Sequence, residues 1–386
     1  MKVLHISTHD ENCGIGRYQE MYLKSMVEHD KSVLNDFFPY SPNFIVKQKG
    51  AALKKIIDEL DAMLKNYDLV HIQHEFSFFK GIHIKQIVEV ITKNDKKLIS
   101  TIHSKPTLRP NQGFMFTPKG FARKAKTKVL NNIFLEAILP LKQSDLIIVH
   151  NKFTKDELVK VGFAESKIVI KPIPVPVADV FLNQYESQIA IINKKINRQS
   201  NDIVVATNGY VNIVKGTLHA VKAMMLLPSN YKLLIIGGVH PGAQNDSFLD
   251  DISDYIVENK LSDRIYITGY IEDDLLLNAY VANADIMVYP YLREYASSSA
   301  ALNNAFAASK PIVAFPAPAF KEINENEKHM RLCDSFSYYD LAREVGKLDK
   351  KAIKEWSVIS GNYKATNSYS KLAEELLDIY KLQLKG

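Results

Sequence analysis

Five short constellations in this 386-residue chain carry residue types suited to phosphates and hydroxyl-rich ligands. Ser297, Ser298 and Ser299 stand between a strand-like run ending at Tyr289 and an Ala/Leu-rich run over 300–306. A strand, a serine cluster and a helix in that order aim free N–H groups, hydroxyls and a positive dipole end out of a sheet, which suits a phosphate. Lys215-Gly216 offers a cation beside the start of a helix expected over Thr217–Leu227, where it can stabilise charge on a leaving diphosphate. His103 ends one apolar run and reads as ligand-facing. Gln73-His74-Glu75 ends another, where hydroxyl-rich ligands are bound in open α/β sheets, while His71 inside that run reads as a core histidine. Asn12-Cys13-Gly14-Ile15-Gly16-Arg17-Tyr18 precedes a helix expected over Gln19–Val27, and its glycines let backbone approach an anion. A dinucleotide fingerprint would need a third glycine where Gln19 stands, so a phosphate- or sugar-facing loop is the better reading.

These residues need strands and helices to hold them. Expected strands are Lys2–Ile6, Leu69–Ile72, Lys97–Ile102, Leu146–Val149 and Lys167–Ile170, then Ile203–Thr207, Tyr231–Ile236, Arg264–Thr268, Ile286–Tyr289 and Pro311–Phe315. Several are continuous apolar runs, as buried parallel strands are, and helical patterns alternate with them. The fold class is therefore α/β, built as two doubly wound units. Three prolines in Pro172-Ile173-Pro174-Val175-Pro176 mark the break. The divisions expected are 1–176, 177–365 and a closing helix in 366–386.

Composition fits a globular chain, with 46 % hydrophobic and 24 % charged residues. No apolar run reaches the ~20 residues needed to span a bilayer, and Met1–Ser7 reads as a first strand rather than a leader. Cys13 and Cys333 are too far apart in sequence to suggest a framework or metal cluster, which points to a cytoplasmic setting. Glu272-Asp273-Asp274 reads as a helix cap rather than a metal ligand set. Residues 96–135 hold nine cations and no acid, so with +6 for the whole chain the remainder carries −3. An amphipathic helix expected over Gly120–Leu141 lies in that stretch. It suits an anionic membrane surface through 119–141, or else a solvated charged face. Nucleic acid is not expected, because no binding module is visible.

In order and spacing these pieces resemble the family 4 glycosyltransferases of the glycosyltransferase B (GT-B) fold. The resemblance covers nearly the whole chain. It implies two Rossmann-like domains facing across a cleft: an N-terminal acceptor domain and a C-terminal nucleotide-sugar domain, with the last helix packing back on the first. It implies a sugar moved from a nucleotide-diphosphate sugar to a glycan or lipid-linked acceptor, with retention of configuration, no metal and no cofactor. By the same resemblance His103 and Lys215 are catalytic. Gly14, Gly16, Tyr210, Gly216, Tyr270, Ser297, Ser298, Ser299 and Asn304 bind the donor, with Glu294 a nearby candidate off the family's register, and Arg17, Gln73, His74 and Glu75 meet the acceptor.

The chain departs from the family at Tyr210, where an arginine is common, and at Ala296 and Asn304, where the family has two glutamates. Asn304 still donates and accepts hydrogen bonds, but carries no charge. These departures motivate a second reading, a non-catalytic GT-B partner or binding subunit with a decayed donor site. A phosphorylase or epimerase on the same two units has no motif of its own here.

Overall fold

A computed structural model describes residues 1–9, 13–104, 118–176, 182–239, 247–292 and 299–385, with the side chains of 118–126 and 182–183 outside the description. The chain divides into two compact units, Met1–Pro172 with Tyr369–Gly386, and Ile173–Ser368.

The first unit is built on β1 (Lys2–Ile6), β2 (Leu34–Phe37), β3 (Leu69–His74), β4 (Lys97–Ile102), β5 (Leu146–Val149) and β6 (Ile168–Ile170). They form one parallel sheet in the order β2-β1-β3-β4-β5-β6. Alternate residues of a strand point to opposite faces. One face presents Leu4, Ile6, Val70, Ile72, Leu98, Ile102, Ile147 and Val149 to an apolar core. The other presents His5, His71, Gln73 and Thr101, all fully buried. Two helices, Gly14–His29 and Tyr369–Gln383, pack on one another and bring Tyr18, Gln19, Tyr22 and Tyr380 to that polar layer. The closing helix, separated from β1 by most of the sequence, is thus part of this unit's interior.

The second unit holds β7 (Ile203–Asn208), β8 (Tyr231–Ile236), β9 (Ile265–Ile267), β10 (Ile286–Tyr289), β11 (Ile312–Ala314) and β12 (Arg331–Leu332). Its order is β12-β11-β10-β7-β8-β9, parallel throughout. Both faces are apolar. Val204, Ala206, Leu234, Ile236, Met287 and Tyr289 face one core, and Ile203, Val205, Leu233, Ile235, Ile286 and Val288 the other. Continuous apolar runs are the sequence counterpart of a sheet covered on both sides. Strand order reverses between β7 and β10, and in such sheets ligands bind beyond the carboxyl ends of the strands at that point.

All ten expected strands are present, within a residue or two at their ends. Two edge strands escaped the reading. Leu34–Phe37 is half exposed and carries Asn35 and Asp36, and Arg331–Leu332 is two residues long. Three helix boundaries differ from expectation. The first helix begins at Gly14 rather than Gln19, so its two glycines lie in its first turn rather than in a preceding loop. The helix after Lys215 ends at Ala223. The basic helix spans Pro118–Ile138, followed by a 3₁₀ turn over Leu139–Gln143.

Candidate functional site

In the second unit the expected donor residues gather at the carboxyl ends of β7, β9 and β10. After β7 the chain makes a 3₁₀ turn over Ile213–Lys215, capped by Asn212, whose Oδ1 accepts from the Lys215 N–H at 3.0 Å. The Leu292 N–H donates to the Val214 carbonyl at 2.9 Å, tying this turn to the segment after β10. Gly216 follows at φ +67°, and a Cβ there would lie 1.8 Å from the Pro290 carbonyl oxygen. Only glycine lets the two backbones meet this closely. The turn projects the half-buried Lys215, whose ammonium sits 3.9 Å from the centre of the Tyr291 ring, a cation–π contact.

The Tyr291 hydroxyl reaches Ser299 Oγ at 2.8 Å, and that oxygen also accepts from the Leu302 N–H at 3.2 Å, capping the helix Ala300–Ala307. Lys215, Tyr291 and the helix start are therefore one connected group. The Ala300 and Ala301 N–H groups lie in the helix's first turn, where no intrahelical partner is available. Tyr289 stiffens the base of the group by donating to Asn208 Oδ1 at 2.6 Å, with Ala301 O also within 2.7 Å of its hydroxyl. Burial pushes this phenol well above its usual pKa, so it stays a neutral donor.

Beside the group, Tyr210 and Tyr270 have their rings parallel to within 4° with centres 6.1 Å apart. They are 40 % and 47 % exposed, which leaves large aromatic surface open. Asn304 lies in the second turn of the Ala300–Ala307 helix and is partly exposed. Its neighbour Asn303 is turned inward and donates to the Ile173 and Pro174 carbonyls at 3.0 and 3.2 Å. Glu294, Ser297 and Ser298 lie outside the described residues. Asp273 caps its helix by accepting from the Leu275 and Leu276 N–H groups, as expected.

In the first unit, the expected acceptor residues separate. Gln73 and His74 are both fully buried, on opposite faces of β3. His74 lies on the apolar side, stacked on Phe79 at 6.0 Å and bonded through Nε2 to the Ala137 carbonyl at 2.9 Å. Burial lowers its pKa to about 4, so it is a neutral core residue rather than a surface contact. Gln73 lies on the polar side, bonded to Tyr22 and, at 2.8 Å, to His103 Nε2. The strand's twofold period separates side chains that sequence reading had grouped together. Glu75 is partly exposed and accepts from Ser104 Oγ at 2.6 Å and from the Phe76 N–H at 3.0 Å. Its pKa is raised by burial, partly offset by those two bonds.

His103 follows β4 and is half-buried. Its other ring nitrogen, Nδ1, lies 3.0 Å from His150 Nε2, and Tyr18 packs edge-on against both rings at 5.4 Å. Burial, then the neighbouring His150, His74 and His71, hold its pKa well below 6.5. Gly14 and Arg17 are exposed and Gly16 half-exposed, all in the first turn of their helix. A Cβ at Gly14 would meet nothing within 4 Å. His71 is a core histidine, as its place in the apolar run implied, with its Nδ1 2.5 Å from the Tyr380 hydroxyl.

The residues that sequence reasoning missed are Tyr291, which lies under the Lys215 ammonium, His150 and Tyr18 around His103, and Tyr380 against His71. Tyr291 was signalled by its place two residues beyond a strand end. His150 ends a strand-like run in the same way as His103. Tyr380 had no local signal, since its partner is 309 residues away. Among the described residues no group of three or more His, Cys, Asp or Glu is placed to hold a metal ion, and no helix is long and apolar enough to cross a membrane.

Residues 23–179 match the model described as Glycosyltransferase Family 4, and residues 201–350 match Glycosyl transferases group 1. HepE of Anabaena in complex with UDP is similar over 99 % of this chain and 100 % of its own, at 14 % identity and TM-score 0.70. A glycosyltransferase from Rickettsia africae is similar over 100 % and 99 %, at 16 % identity and TM-score 0.70. The UDP-forming α,α-trehalose-phosphate synthase of Burkholderia xenovorans, crystallised with glucose-6-phosphate, is similar over the whole of both chains at 10 % identity and TM-score 0.64. No curated protein matches the chain significantly. With both sheets wound as that fold requires and a family match in each unit, the chain belongs to the group 1, family 4 glycosyltransferases of the GT-B fold.

Proposed function

We propose that this chain transfers a sugar from a nucleotide-diphosphate sugar to a glycan or lipid-linked acceptor, with retention of configuration and without a metal. The observation that carries the reading is the Lys215–Tyr291–Ser299 group at the strand-order reversal of the second sheet. A cation fixed over an aromatic ring next to first-turn helix N–H groups, which have no intrahelical partner, is a preorganised site for the charge that develops on a departing diphosphate. Tyr210 and Tyr270 offer aromatic faces to the donor, and Asn304 meets it through uncharged hydrogen bonds. Ser297 and Ser298 are assigned to the same donor by family resemblance, and Glu294, off the family's register, is a candidate by its place in the sequence beside them. In the first unit His103 serves the transferred sugar, the first turn holding Gly14, Gly16 and Arg17 serves phosphate or acceptor, and Glu75 is the acceptor contact retained from Gln73–Glu75.

UDP is the first nucleotide to try, because HepE was crystallised with UDP and with UDP-glucose. Calorimetry with a panel of nucleotide diphosphates should find one that binds selectively in the micromolar range, and Lys215→Ala should lower transfer by roughly 10²–10³-fold. Binding of no nucleotide would overturn the transferase reading in favour of a non-catalytic partner subunit. Transfer at near-normal rate by Lys215→Ala would remove Lys215 from the mechanism.

A peripheral membrane contact through 119–141 is supported by Val129 and Ile133, which are 57 % and 54 % exposed on the basic helix. Flotation with anionic vesicles at low salt tests it, and failure to float ends that part of the proposal.

A further inference from the structure

We propose that His150 is a positioning residue for His103. Together with Gln73 it holds the His103 ring neutral with its proton on Nδ1, so that Nε2 is an acceptor and the sugar group it meets is a hydroxyl. The hydroxyl part of this inference rests on the reading that His103 faces the transferred sugar.

The argument is a proton count. His150 follows β5 and is 4 % exposed. Its Nδ1 lies 2.9 Å from the Lys171 carbonyl oxygen. A carbonyl only accepts, so Nδ1 carries a proton. Burial lowers the His150 pKa to about 4, which leaves the ring with that one proton near neutral pH and makes Nε2 a bare acceptor. Nε2 lies 3.0 Å from His103 Nδ1, so His103 must donate there.

His103 is itself surrounded by histidines and burial that disfavour its cation. Its Nε2 is then also bare, 2.8 Å from the Gln73 amide. Two lone pairs cannot face each other, so Gln73 presents its NH₂ to His103 and its carbonyl to Tyr22. Amide oxygen and nitrogen have the same shape, so this orientation moves no heavy atom. The Tyr22 hydroxyl, 3.1 Å away, donates to the Gln73 carbonyl. Tyr22 and Tyr380 are hydrogen-bonded to each other, and with the Tyr22 proton spent on Gln73 the Tyr380 hydroxyl donates to Tyr22, so His71 Nδ1 donates to Tyr380 and His71 Nε2 accepts from Thr101 Oγ1 at 2.8 Å. The opposite Gln73 orientation works only if His103 or His150 is an imidazolium, and burial disfavours both cations. Tyr18, edge-on to both rings at 86° and 77°, keeps the pair from turning.

A ligand group that meets His103 Nε2 must bring its own hydrogen in place of the Gln73 N–H. A sugar hydroxyl does so, whereas a phosphate or carboxylate oxygen does not.

The test is ¹⁵N-histidine NMR on the full chain, with His103 assigned by loss of its signals in His103→Asn. The wild type should show a protonated Nδ1 and a bare Nε2 on His103 at pH 7. His150→Phe should abolish that pattern and lower kcat by roughly tenfold or more at little cost in nucleotide affinity, while His150→Gln, which restores an acceptor, should recover most of it. A wild-type His103 protonated on Nε2 or on both nitrogens overturns the proposal, as does His150→Phe with the tautomer and kcat unchanged. If His150→Phe does not fold, the wild-type spectrum and His150→Gln still decide. A wild type that binds no nucleotide and transfers no sugar defeats the proposed function, and the NMR result stands apart from it.

Discussion

Replacing Gly216 with alanine tests the geometry that carries Lys215. Two costs add. A non-glycine residue in the left-handed region at φ +67° loses about 1–2 kcal/mol. The new Cβ would stand 1.8 Å from Pro290 O and 2.9 Å from Pro290 C, both backbone atoms, so a strand end must move. Forcing extra atoms into packed structure costs about 1–3 kcal/mol. The sum is roughly 2–5 kcal/mol. At ~2–4 °C per kcal/mol for a unit of this size, the Tm falls by roughly 4–20 °C.

Gly269→Ala is the control, because its φ of +77° imposes the same conformational cost while its Cβ meets nothing within 4 Å. It should lose only about 1–2 kcal/mol. Thermal unfolding followed by circular dichroism reads both variants, and nucleotide calorimetry at a temperature where both are folded reads the displacement of Lys215. If Gly216→Ala melts within about 2 °C of Gly269→Ala, the close approach of Gly216 to Pro290 is wrong and with it the placement of Lys215.

Other expectations concern the polar layer and the donor site. His5, His74 and His150 have folded pKa values lowered to about 4 against 6.5 when unfolded, so the unfolded chain binds more protons between those values. Stability is therefore full above pH 6.5 and falls as pH drops toward 4, by on the order of 3 kcal/mol for each histidine. Urea midpoints at pH 7.5 and 5.0 check this, and equal midpoints would count against the burial of these rings. Tyr380→Phe leaves buried His71 Nδ1 without its partner and should cost about 1–3 kcal/mol, measured by the same titration. Asn304→Glu separates the two readings of the donor site. An adapted site should lose activity on gaining the charge, and a gain of transfer would mark the wild-type site as decayed.

Most of the scaffold was legible locally. Ten strands were visible because strands buried on both sides of a parallel sheet are continuous apolar runs, and such runs are a local property. The cap at Asp273 and the core role of His71 follow from short-range chemistry of the same kind. The edge strand Leu34–Phe37 escaped because half of it faces outward and its composition is that of a loop.

The sequence by itself determined the class of fold, and it named the residue types that we propose handle phosphate. It could not say which of neighbouring residues would share a face, and so placed Gln73 and His74 together where the strand's alternation sets one beneath His103 and the other in the apolar core. Only the tertiary structure brought Tyr291 under Lys215, His150 against His103 and Tyr380 against His71. Each of those pairs joins separate elements, so its geometry is set by strand order and helix packing over long separations, and no local pattern of residues records it.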